Sequence, residues 1–175
     1  MLEIECDVCE VYLQPGEVYL ARKPTIIRTI LGSCVGIAFW SARLSVGALC
    51  HALLPKCPPG AGTGLDAAAG YRFVDFSIRG LARQFDQIGA ARGEVQVKLF
   101  GGADVLATSA TSTARPTIGR LNCEVALEVL RQEGLKVMAL SLGGTSGRSI
   151  QFHTGNGEVR LRWISRPVFE EDTCG

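Results

Sequence analysis

Nowhere does this sequence gather the roughly 20 consecutive apolar residues that a membrane-spanning helix requires. Its best candidate, residues 30–40, is interrupted by Gly32, Ser33 and Gly36. An excess of either charge is also missing. Lys plus Arg is 18 and Asp plus Glu is 17, leaving a net charge of +1. That balance excludes the strongly basic face by which nucleic-acid-binding proteins attract phosphate. The start Met1-Leu2-Glu3-Ile4-Glu5 lacks the positive charge and apolar centre of a secretory signal, so a cytoplasmic location is expected. Charged residues are 20% of the chain against 47% hydrophobic, which argues against disorder. No second C-x-x-C accompanies Cys6-x-x-Cys9, so a closed zinc site would lack half its ligands. The order G-x-x-x-x-G-K-[ST] of a phosphate-binding loop is absent as well, and no internal repeat is apparent.

What the chain has in plenty is glycine, 21 of 175 residues, and cysteine, 7. Glycine at that level marks frequent turns and close backbone approaches. An odd number of cysteines cannot all pair within one chain, and without a secretory signal free thiols are the default. Cys50 and Cys123 are expected in the core and Cys174 on the tail. Cys57 is either an oxidation-prone thiol near His51 or an incidental loop residue.

Periodicity divides the chain into short elements. Alternation over residues 4–13, with a phase slip near Cys9, reads as a strand with a bulge or an end there. Residues 17–21 and 25–31 are strand-like, the latter rich in β-branched side chains. A loop dense in Pro and Gly covers residues 55–65. Phe73, Val74, Ile78, Leu81, Ala82, Phe85 and Ile88 recur at three- and four-residue steps, an amphipathic helix. Residues 94–100 alternate again, and 101–116 read as a mobile loop. Thr117 is placed to cap a second helix that Gly134 stops. The apolar run 135–142 suggests a strand buried on both faces. A glycine-rich loop is expected over 143–149, then a hairpin of 150–153 and 158–164 around Thr154-Gly155-Asn156-Gly157. Together these predict an α+β chain: one layered α/β/β sandwich over residues 1–166, mostly antiparallel, with two main helices on one side and a flexible tail at 167–175.

Two apolar runs, residues 35–40 and 44–54, surround Ser41-Ala42-Arg43 and predict an antiparallel hairpin. Centred between Ala42 and Arg43, it pairs Cys34 directly with His51, their Cβ atoms roughly 4.5–5.5 Å apart. Gly36, Ala38 and Trp40 share that face, while Val35, Ile37, Phe39, Val46, Ala48 and Cys50 turn into the core. A thiol beside an imidazole is a nucleophile beside its base, suited to attack on an amide or ester carbonyl. Gly32 and Gly36 leave room for a substrate.

Five blocks occur in order: Leu31-Gly32-Ser33-Cys34-Val35-Gly36; His51 followed by Leu54-Pro55; Lys98-Leu99-Phe100-Gly101-Gly102-Ala103; Ile118-Gly119-Arg120-Leu121-Asn122; and Gly143-Gly144-Thr145-Ser146-Gly147-Arg148. The set resembles the chemoreceptor glutamine deamidase family, CheD, over residues 17–163. The resemblance implies an α/β sandwich that hydrolyses receptor glutamine side chains to glutamate, with Cys34 as nucleophile and His51 as general base. Thr29 matches the family's third catalytic position, where its hydroxyl or backbone carbonyl would orient the imidazole. Ser33, Gly102, Gly144 and Arg148 are the candidates for meeting substrate. Arg148 serves either that role or the geometry of its own loop. The implied partners are chemoreceptor helices, as substrate, and a CheC phosphatase. Neither metal nor organic cofactor is called for. Two other readings fit the same residues: a papain-like cysteine hydrolase acting on another protein, and a non-catalytic module that regulates a chemotaxis phosphatase.

Overall fold

The computed structural model describes residues 8–61, 64–105 and 116–164. Its elements are β1 (Cys9–Tyr12), β2 (Val18–Ala21), β3 (Thr25–Leu31), β4 (Val35–Ser41), β5 (Val46–Ala52), α1 (Val74–Gln87), β6 (Gln96–Gly101), α2 (Ile118–Gln132), β7 (Lys136–Leu142), β8 (Gly147–His153) and β9 (Glu158–Ile164), with a 3-10 helix at Gly64–Arg72. The strands form two sheets, ordered β1-β3-β8-β9 and β2-β5-β4-β6-β7. Only β1–β3 and β6–β7 pair in parallel.

The three-layer arrangement follows from which faces are apolar. Val35, Ile37, Phe39, Ala48 and Cys50 pack against Ile78, Leu81 and Phe85 of α1 and Ala126 and Leu130 of α2. Phe39 and Phe85 meet with ring centroids 5.6 Å apart. The other face of β4 and β5, with Ala38 and Leu49, packs against Ile27, Leu31, Ile150 and Phe152 of the smaller sheet. Strands β4 and β5 are therefore covered on both sides, which is why they read as apolar runs and not as alternation. Strand β3 alternates because its other face is open. The expected α/β/β sandwich with both helices on one side is what forms.

Local signals hold where side chains act on their own backbone. Thr117 caps α2, its hydroxyl accepting from the Arg120 N–H at 3.2 Å, and Gly134 follows the helix with φ 66°.

Three expectations are corrected. First, the β4–β5 hairpin has a four-residue loop, 42–45, and pairs Gly36 with His51. Cys34 is thus not opposite His51 but just ahead of β4, a register shift of two residues. A two-residue shift leaves every side chain on its expected face. Second, β7 is an edge strand with Met138 48% and Leu140 58% exposed. Only Val137 and Leu142 of this strand pack against the helical core. Third, the loop after β7 is shorter than expected, since Gly147, Arg148 and Ser149 already belong to β8. Cys6, the 106–115 part of the loop and residues 165–175 lie outside the described residues. No helix among those described is long and apolar enough to cross a membrane.

Candidate active site

The site begins with a loop that the sheet cannot close. After β3 the chain runs through Gly32, Ser33 and Cys34 before entering β4. It is held by the segment following β6: Gly102 N–H donates to Cys34 O and Ala103 N–H to Gly32 O, both at 2.8 Å. Gly101 and Gly102 have φ of 107° and 66°, a region that favours glycine. A Cβ on Gly101 would lie 2.1 Å from Cys34 O, and one on Gly102 2.1 Å from Cys123 Sγ. The third loop joins through Gly143 N–H to Gly101 O at 2.9 Å and Asp104 N–H to Gly144 O at 2.8 Å.

Arg148 reaches this junction from β8. Its guanidinium donates to the carbonyls of Gly101, Ser141 and Gly143 and stacks on Trp163, 4.6 Å from the ring centroid. It is 1% exposed, and burial lowers its pKa. Of its two expected roles, this geometry fits the one of fixing the loops. Ser33 is half-buried within the 32–34 loop and Gly144 is exposed, while Gly102 is buried with its N–H committed to Cys34 O.

His51 lies on the face of β5 that meets the smaller sheet and is 2% exposed. Its Nδ1 is 2.8 Å from Thr29 Oγ1, and Thr29 Oγ1 donates to Leu13 O at 2.8 Å. A hydroxyl has one proton. With that proton on Leu13 O, Thr29 accepts from His51, so Nδ1 carries the imidazole hydrogen. Nε2 is left as a base with its lone pair free, buried and without a hydrogen-bond partner among the described residues. Main-chain bonds fix the ring's mount: His51 N–H donates to Glu17 O at 3.0 Å and Gly16 N–H to His51 O at 2.7 Å.

The Cys34 side chain packs toward the same inter-sheet core that His51 faces. Burial pushes its pKa up, while its own main-chain N–H and the Ser33 hydroxyl pull it partly back. Burial also takes His51 down to about 4. At neutral pH the resting pair is a neutral thiol and a neutral imidazole. Cys50, wholly buried, is pushed up to about 12 and is chemically inert. Cys9 is exposed, and among the described residues no three His, Cys, Asp or Glu converge to hold a metal.

The structure thus brings Thr29 and His51 into contact and sets Cys34, Ser33, Gly102 and Gly144 around one junction. Sequence reasoning missed Asn122. Buried in α2, its Nδ2 donates to Ser33 O and Leu53 O, each at 2.9 Å. The available signal was a polar residue on the apolar stripe of an amphipathic helix, at the end of a recognised block.

A family model described as CheD chemotactic sensory transduction matches residues 53–163. That span begins past His51, so Thr29, Cys34 and His51 lie outside it. Full-length similarity covers them. The protein named probable chemoreceptor glutamine deamidase CheD 2 from Geobacter sulfurreducens is 42% identical over 156 residues, 89% of this chain and 91% of that protein. One named probable chemoreceptor glutamine deamidase CheD from Maridesulfovibrio salexigens is 36% identical over 173 residues, 97% of this chain and 100% of its own length. A third, of the same name from Thermococcus kodakarensis, is 36% identical, covering 89% and 94%. Among solved structures, a Bacillus licheniformis hypothetical protein, YfiH, aligns with TM-score 0.49 and 11% identity over 74% of this chain and 51% of that one.

Proposed function

The chain belongs to the CheD family, and from that premise we propose that it is a cysteine-dependent amidohydrolase converting glutamine side chains of chemoreceptors to glutamate. The observation that carries the mechanism is the relay from Leu13 O through Thr29 to His51, which leaves Nε2 buried and without a partner among the described residues, on a β5 face that meets the same inter-sheet core as Cys34.

In this reading Nε2 accepts the Cys34 proton as sulfur attacks the carboxamide carbon. Transfer is concerted with attack, because both groups are neutral at rest. The oxyanion forms beside the Cys34 main-chain N–H, the same group that helps to hold the thiol's pKa down. His51 then protonates the departing nitrogen, ammonia leaves, and a γ-glutamyl thioester remains on Cys34. Water, deprotonated by Nε2, opens the thioester, leaving glutamate and restoring the thiol. One glutamine and one water give one glutamate and one ammonia, with no metal or organic cofactor in the balance. Thr29 keeps the imidazole in the tautomer that this sequence of transfers needs.

The partner that presents the glutamine is a receptor helix resting on the loops at 101–105 and 143–146, and the reaction belongs in the cytoplasm. A CheC phosphatase as second partner follows from family resemblance alone. The test is incubation of the purified chain with a chemoreceptor cytoplasmic fragment, followed by peptide mass spectrometry. Conversion of particular Gln residues to Glu without chain cleavage, abolished by Cys34→Ala, is the expected result. Chain scission would favour the papain-like reading. Full function of Cys34→Ala in cells would favour the non-catalytic one.

A further inference from the structure

No hydrogen bond ties the Cys34 thiol to the imidazole, whose Nε2 has no partner among the described residues. Their separation therefore depends on the main chain that carries each group. Both lie near strand ends: Cys34 directly precedes β4, and Ala52 and Leu53 follow His51. The β4–β5 pairing begins with Val35 and Ala52 and does not extend to Ser33 and Leu53. Asn122 spans that gap. Its Nδ2 donates to Ser33 O, one residue before the nucleophile, and to Leu53 O, two residues after the base, each at 2.9 Å. Both amide hydrogens face carbonyls, so the orientation of the carboxamide is settled; the flipped amide would set oxygen against oxygen. Asn122 is fully buried, and its Oδ1 has no partner among the described residues. The side chain is thus held for its two donors while its acceptor goes unsatisfied.

We propose that Asn122 is a positioning residue that sets the distance between the Cys34 thiol and the His51 imidazole by clamping Ser33 O to Leu53 O. The proposal rests on the thiol–imidazole reading above and names what keeps that pair aligned. Asn122 hydrogen-bonds to neither reacting side chain; it acts through the two carbonyls. Losing the clamp frees both strand ends, and a misplacement on the order of 1 Å costs about 10²-fold in rate.

The test is a kinetic double-mutant cycle on the full chain: native, Asn122→Leu, His51→Ala and the double variant. Each is assayed by mass spectrometry on a purified chemoreceptor cytoplasmic fragment, with circular dichroism to verify folding. Asn122→Leu should lower kcat about 10²-fold with KM unchanged, and should cost nothing further on top of His51→Ala. An unchanged kcat overturns the proposal, as does an equal loss in the His51→Ala background, which marks a general structural role. A raised KM with kcat intact also overturns it, marking a substrate contact. Native-like activity of His51→Ala defeats the underlying reading itself, whereas an inactive His51→Ala beside a native-like Asn122→Leu defeats only the clamp. Should the leucine variant fail to fold, Asn122→Asp is read in the same cycle. It matches asparagine in size and holds at most one of the two carbonyls.

Discussion

Replacing Thr29 with valine keeps the β-branched shape of the strand residue and removes one oxygen. Two buried groups lose their partner at once: Leu13 O loses its donor and His51 Nδ1–H its acceptor. Each such group costs about 1–3 kcal/mol, so Thr29→Val should cost about 2–6 kcal/mol of a domain stability that is typically about 5–15. At about 2–4 °C per kcal/mol for a domain of this size, Tm should drop on the order of 10 °C and the protein should stay folded at room temperature. The catalytic effect is separate from that loss. With Nδ1–H unpaired, the imidazole proton is free to move to Nε2, and a protonated Nε2 cannot take the Cys34 proton. A wrong tautomer in serine triads costs about 10⁴-fold, where the orienting group is a carboxylate. A neutral hydroxyl gives less, about 10²–10³-fold in kcat. The assay is deamidation of a receptor fragment at a temperature well below the variant's Tm, with ¹⁵N spectra of His51 to read the tautomer. Thr29→Ser, which restores the oxygen, should recover most of the rate. A Thr29→Val protein with lowered Tm and native kcat would refute the argument, leaving Thr29 a purely structural residue.

The low pKa of His51 has a consequence for stability with a definite sign. The folded chain keeps His51 neutral down to about pH 4, whereas the unfolded chain protonates it near 6.5. Its contribution is therefore complete above pH 6.5 and lost as pH falls toward 4, about 3 kcal/mol in all. Urea titrations at pH 7 and pH 4 should show that loss in the native chain and little of it in His51→Gln. Arg148→Leu should destabilise strongly, since three carbonyls each lose a charged donor at about 1–3 kcal/mol; thermal melts measure it, and Arg148→Lys should not rescue it, because one ammonium cannot span all three. Iodoacetamide followed by peptide mapping should label Cys34 well ahead of Cys50. Receptor fragments should react far faster than free glutamine, which brings no remote binding energy; comparable kcat/KM for the two would argue for a small-molecule amidohydrolase.

How much of this was legible in the sequence depended on the range of the interaction. The Thr117 cap, the Gly134 stop and the turn at 154–157 act within a few residues, and all three are where the sequence indicates. The hairpin register was not readable, because residues 42–45 lack the Asn-Gly or Gly-Gly that pins a two-residue turn. The loop takes four residues, with Ser45 at φ 51°. The error was an even number, so Cys34 and His51 still came out on one side. For β7, an apolar run reports hydrophobicity but not neighbours, and nothing in residues 136–142 says that one long edge stays uncovered. Arg148 was harder still. A guanidinium inside a protein is expected to find a carboxylate, and its three carbonyl partners become visible only once the ends of β6 and β7 meet over β8. Asn122 was hidden for the same reason, both of its partners being backbone.

The stack of Arg148 on Trp163 makes the junction optically addressable. The chain has two tryptophans, and they report on different places. Trp40 is held inside the sandwich by its indole N–H on Thr154 O at 2.9 Å. Trp163 is 55% exposed and lies against the cation that gathers the glycine loops. With Trp40→Phe, the remaining fluorescence comes from an indole quenched or released according to how Arg148 sits over it. Any partner that settles on residues 143–146 and shifts the guanidinium will change emission intensity within the encounter itself, before a bond to Cys34 is made. Stopped-flow traces of that single fluorophore would separate docking from chemistry without a label on either protein.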